Sequence, residues 1–135
     1  MNEDIQKLVG YRMGQAAETL VAAKQLAEAG HCRDAANRAY YAMFYCGLAL
    51  LAARGLGASK HSGVLSLFSH HFVKTGDFSV ECGRHLREAF ELRQACDYRE
   101  FLEITRDQAD EVVTNAEAFI REAWQTLSRM GCPGQ

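Results

Sequence analysis

Proline occurs once in this chain, at position 133, so the sequence ahead of it can run helical without a forced break. Alanine, leucine, glutamate and arginine, all strong helix formers, are abundant in that stretch, and apolar residues recur there at three- and four-residue spacing.

The spacing predicts five helices. The first, over 3–29, puts Ile5, Leu8, Val9, Ala16, Leu20, Ala23 and Ala27 on one face, and Gly30 is suited to end it in a left-handed cap. The second, over 32–54, is broken by Gly55 and Gly57. Ser59 can cap a third over 60–74, on which His61, Val64, Leu65, Phe68 and Phe72 share a face. A fourth over 79–96 has the stripe Cys82, Leu86, Ala89 and Phe90, opposed by a solvated face of Glu81, Arg84, Arg87, Glu88 and Glu91. The fifth begins at Thr105, where Thr105 and Gln108 make a capping box, and its stripe is Ala109, Val112, Ala116, Phe119, Ile120, Ala123 and Leu127.

Short connections between long helices imply antiparallel neighbours. The expected fold is all-α, an antiparallel up-and-down bundle of four to five helices. At 135 residues the chain suits one domain, with a disordered tail from about residue 130. The second helix is apolar on nearly every side and should be the central one.

Net charge is −2 and the pI is about 6.2, so no strong basic field draws the whole molecule onto nucleic acid, though a local basic groove is compatible with those totals. The five cysteines are odd in number and no two have C-x-x-C spacing, which reads as reduced cytosolic thiols and argues against a structural zinc site. The N-terminal "MNEDIQKLVG" lacks a signal-peptide apolar region, and the longest uncharged run, between Arg38 and Arg54, is 15 residues with three tyrosines, short for a membrane span. The chain therefore reads as soluble and cytoplasmic, with no membrane partner, no metal and no cofactor.

Three clusters can carry chemistry. On the second helix Ala36, Tyr40, Met43, Phe44, Gly47 and Leu51 form one side, while Asn37, Arg38, Tyr41 and Tyr45 form the other. Amide, guanidinium and hydroxyl groups thus project together from a buried element. Tyr40 and Phe44 belong to the core, and Asn37, Arg38 and Tyr41 to a cleft. On the fourth helix Arg93 and Asp97 continue the apolar stripe. They should point inward, where charge is costly unless paired, and they are spaced to pair with each other. The alternatives are a structural ion pair and an arginine held ready for phosphate. In "SKHSG", Lys60, His61 and Ser62 open a helix, a setting that favours an anion, although a hydrogen-bonded helix-start histidine is the commoner reading of a lone histidine. The adjacent His70 and His71 should diverge, and His85 lies toward a flank.

With "AANRAYYAMFYCGLALL", "SKHSGVLSLFSHHFVKTG" and "AFELRQACDYRE" in this order and spacing, the chain resembles the HEPN domain in its small single-domain bacterial branch, over roughly residues 10–125. The resemblance implies a helical bundle that dimerises, often paired with a minimal nucleotidyltransferase as toxin and antitoxin. It also implies nucleotide or RNA as ligand, and in many members metal-independent ribonuclease activity through an Arg-x4–6-His motif.

This chain departs from that motif. Arg93 stands where the family's arginine falls, but positions 98–100, where the histidine falls, hold Tyr98, Arg99 and Glu100. A carboxylate such as Asp97 does not replace an imidazole that titrates near neutral pH. The pattern occurs literally only from Arg54 to His61, across a loop, and is read as coincidence. The leading expectation is a non-catalytic module in which Asn37, Arg38, Tyr41, Lys60, His61, Arg93, Asp97 and Tyr98 line a cleft for nucleotide, RNA or a partner nucleotidyltransferase. A ribonuclease using His61 with Arg93 is the rival, and a purely architectural dimerisation module the third reading.

Overall fold

The computed structural model describes residues 1–132 and shows an all-α bundle whose helices start and stop where local chemistry provides for it. Helix α1 (Glu3–Glu28) starts at Asn2, whose side-chain oxygen accepts from the Ile5 amide at 2.8 Å, and the left-handed Gly30 (φ 84°) follows its end. Helix α2 (Cys32–Ala53) is followed by Gly55 at φ 72°. Helix α3 (His61–Phe68) runs directly into one π-helical turn, Ser69–Val73. Helix α4 (Val80–Tyr98) is capped by the Ser79 hydroxyl, which accepts from the Cys82 amide at 3.1 Å. Helix α5 (Arg106–Arg129) opens with the expected capping box: the Gln108 amide donates to Thr105 Oγ1 at 3.1 Å and the Thr105 amide to Gln108 Oε1 at 2.9 Å.

Helix α2 touches all four other helices and packs against α1 along most of its length. Both bury alanines there, Ala16, Ala23 and Ala27 on α1 and Ala35, Ala39, Ala42 and Ala49 on α2, and small side chains let two backbones approach closely. Tyr40, Met43, Leu50 and Leu51 fill the wider spaces. At the end of the bundle by the π-turn, Phe68, Phe72, Phe78 and Phe119 form one aromatic cluster with ring centroids 4.9–5.6 Å apart. No helix among the described residues is long and apolar enough to cross a membrane.

Several local expectations change. Leu8 is 44% exposed and Met13 is buried in its stead, because the buried row of α1 follows Val9, Met13, Ala16, Ala23 and Ala27. On α5 Val113 is buried and Val112 only half-buried. Ser59 makes no cap: Lys60 occupies that position without a side-chain bond, so the helix starts one residue later. Of the tail expected from about residue 130, residues 130–132 are ordered, since Cys132 is buried and its amide donates to the Leu127 carbonyl at 3.0 Å, while 133–135 lie outside the described residues.

Candidate functional site

One side of α2 and the start of α3 meet α4 around a single imidazole. Ala36, Tyr40, Met43, Phe44, Gly47 and Leu51 are buried on α2, whereas Asn37, Arg38, Tyr41 and Tyr45 are half-buried. The helical wheel therefore divides this helix correctly. His61, the first residue of α3, stacks on Phe44 with ring centroids 4.1 Å apart and planes 18° apart. Tyr41 meets it edge-on at 5.7 Å, and the Tyr40 hydroxyl lies 2.8 Å from His61 Nδ1.

The arginines surround these rings. Arg93 Cζ lies 5.3 Å from the centre of the Tyr41 ring and 5.8 Å from that of Tyr40, and Arg38 Cζ lies 5.5 Å from the Tyr41 centre. Such cation–π contacts contribute roughly 0.5–2 kcal/mol each, more as water is excluded. Neither guanidinium has an ion-pair partner among the described residues, and Arg38 Nε is buried with no hydrogen-bond partner. A buried unpaired donor is costly, so the cluster is short of hydrogen-bond acceptors.

A groove of about 220 Å³ opens beside Arg93, between the first turns of α2 and the last turns of α4, lined among others by Arg33, Asn37, Arg93 and Asp97. Arg33 is not among the residues expected from the sequence. It donates to the Leu102 carbonyl at 3.1 Å and to the Cys96 carbonyl, tying the end of α4 to the start of α2. Its spacing, one turn before Asn37 on the same face, was the available signal. Tyr40 was placed in the core; it is fully buried there, and it also holds the histidine.

Of the expected cleft residues, the structure groups Arg38, Tyr41, His61 and Arg93 through their rings and cations, and Asn37, Arg93 and Asp97 through the groove. Lys60 and Tyr98 are exposed, Tyr98 at 84%, and their side chains make no hydrogen bond or ring contact among the described residues. Asp97 does not turn inward. It is exposed and forms no ion pair with Arg93 among the described residues. The reason is that residues 97–101 are all exposed, so the carboxylate keeps its water while Arg93 settles on aromatic faces.

Burial, with the Arg93 charge as a second cause, holds His61 below the usual histidine range. Burial pushes the Tyr40 phenol well above its usual range, against the opposing pull of Arg93. For His61, both causes favour the neutral imidazole. His70 and His71 do not diverge as expected: the π-turn sets their rings edge-to-face at 4.9 Å. Arg54, the first residue of the literal motif, is engaged elsewhere, bonded to Asp77 at 2.7 Å and lying 4.0 Å over Phe72.

The HEPN domain family model matches residues 9–126, nearly the whole bundle. The chain belongs to the HEPN domain family. Relatives of this HEPN bundle include a UPF0332 protein of Thermotoga maritima, 42% identical over 120 residues, covering 89% of this chain and 90% of that one. A Methanocaldococcus jannaschii protein named as a candidate toxin is 36% identical over 130 residues, 96% of each chain, and a second so named from the same organism is 34% identical, over 84% of this chain and 77% of its own.

Proposed function

We propose that this HEPN bundle is a binding module of a toxin–antitoxin type pair, and that its cleft takes the phosphate of a nucleotide or of RNA. The names of the two M. jannaschii relatives support the first part. The second rests on one observation: two guanidiniums, Arg38 and Arg93, flank the Tyr41 ring with no carboxylate partner among the described residues. Asp34 and Asp97 line the groove beside Arg93 without pairing with either guanidinium, so both forks stay free for phosphate oxygens, whose geometry they match. Asn37 and His61 add hydrogen-bonding capacity, and Lys60, Asp97 and Tyr98 form the exposed surround. A nucleotidyltransferase is the partner this reading favours, with a homodimer as the assembled form.

Titration of the protein with AMP and with a short oligoribonucleotide tests it. Arg93→Ala should weaken both by about tenfold or more, as expected for a lost charge-assisted hydrogen bond, with helix content and melting temperature little changed. Unchanged affinity, or unfolding of the variant, overturns the reading. A second reading, ribonuclease action by His61 with Arg93, is favoured by both residues meeting the same Tyr41 ring. Cleavage of labelled RNA in EDTA that disappears in His61→Ala would support it.

A further inference from the structure

We infer that Tyr40 is a positioning residue, whose buried hydroxyl donates to His61 Nδ1 and so fixes the imidazole as the tautomer with its proton on Nε2, a hydrogen-bond donor for a phosphate oxygen. The ligand in this inference rests on the phosphate-binding reading above; the tautomer does not.

Hydrogen-bond accounting gives the direction. Tyr40 has no exposed surface, and its hydroxyl has one partner among the described residues, His61 Nδ1 at 2.8 Å. If the imidazole donated instead, the phenolic proton would sit in the core with no acceptor, the costly outcome for a buried donor. With Tyr40 donating, every proton in the pair has a place. The nitrogen that carries the proton in a neutral histidine is set by the bond its other nitrogen makes, so the proton goes to Nε2, across the ring from the hydroxyl.

The surroundings keep the ring in that state. Phe44 stacked at 4.1 Å and Tyr41 edge-on at 5.7 Å leave the imidazole little freedom to turn. The charge that acts on it is that of Arg93 from α4; Arg38 lies beyond Tyr41 on α2, Lys60 precedes His61 in the chain, and Asp34 and Asp97 line the groove on the other side of Arg93. Among the described residues no carboxylate pairs with His61, although His85 has one in Glu81 at 3.7 Å. Protonation would set a second N–H against the Tyr40 hydroxyl and leave the phenolic proton without an acceptor. Burial and Arg93 oppose protonation as well.

The chemical consequence is a division of labour. With Nδ1 occupied and Nε2 protonated, His61 has no free lone pair to accept a proton from a ribose 2′-hydroxyl. It can hold a phosphate oxygen alongside Arg38 and Arg93, as an uncharged donor between two charged ones. The sequence reading of His61 as a helix-start histidine and as an anion contact then describes one and the same side chain.

Nitrogen-15 NMR of the imidazole in the intact protein at pH 8 decides the tautomer. A protonated Nε2 and an accepting Nδ1 are expected, and Tyr40→Phe should give a mixture of tautomers and a His61 pKa closer to the ordinary value. A protonated Nδ1 in the wild type, or a tautomer unmoved in Tyr40→Phe, overturns the inference. AMP titration supplies the functional arm. Tyr40→Phe should bind AMP about threefold to tenfold more weakly at pH 8, with the loss recovered below the His61 pKa that the NMR titration of the variant gives, where a protonated His61 carries Nε2–H whatever its partner. A loss equal at both pH values would show a merely structural tyrosine. If the wild type does not bind AMP at all, the phosphate reading fails while the NMR result still decides the tautomer.

Discussion

His61 and Asp77 show how single residues limit stability on acidification, in two separate pH windows. The folded state holds His61 below its ordinary pKa, so in the window just under the usual histidine value the unfolded chain binds more protons. Stability should therefore fall as pH drops through that window, and urea unfolding across pH 5–8 should show the slope flattened in His61→Gln. Asp77 is depressed, first by its hydrogen bonds from Arg54 and Thr75. Its contribution is present above the ordinary carboxylate value and is lost as pH falls through the depressed one, and Asp77→Asn should remove that acid limb. Arg54 joins three parts of the molecule, donating to the His71 carbonyl, pairing with Asp77 and lying 4.0 Å over Phe72. Arg54→Ala is expected to cost about 2 kcal/mol, read by chemical denaturation.

At the scale of elements, the π-turn Ser69–Val73 is the feature that periodicity could not supply. Helix α4 accommodates it with Gly83: a Cβ there would meet Val73 Cγ2 at 2.7 Å. Gly14, exposed on α1, has nothing within 4 Å of the same position. Two identical substitutions should thus have opposite effects. Gly14→Ala should stabilise the protein by about 0.5–1 kcal/mol through helix propensity. Gly83→Ala gains the same propensity but must push Val73, at roughly 1–3 kcal/mol for overpacking. Thermal melts should rank Gly14→Ala above wild type and Gly83→Ala below it, and adding Val73→Ala should recover part of the loss.

For the whole molecule, the position of α2 decides cooperativity. Every other helix rests on it, so a cavity there weakens all the interfaces together. Leu50, fully buried on α2, should cost about 2–5 kcal/mol when truncated to alanine. Far-UV circular dichroism and near-UV signals should then move in one earlier transition. Separate transitions would mean that the bundle is less unified than its contacts imply.

Helix number, the polar and apolar sides of α2, the α4 face of Glu81, Arg84, Arg87, Glu88 and Glu91, and the Thr105–Gln108 box were legible in the sequence, because each follows from 3.6-residue periodicity or from groups three apart. Arg93, His61, Arg38 and Tyr41 were legible as residue types in telling places, but no local rule states which side chains from separate helices meet. The same periodicity aimed Asp97 inward, and it failed because residues 97–101, at the end of α4 and just beyond it, are all exposed. Arg33 and the second role of Tyr40 depend on partners 69 and 21 residues away. The helices and their faces are local properties, settled within a few turns of chain. That a buried phenol, an imidazole and two guanidiniums share one place is a tertiary outcome, because it depends on where α3 and α4 come to rest against α2.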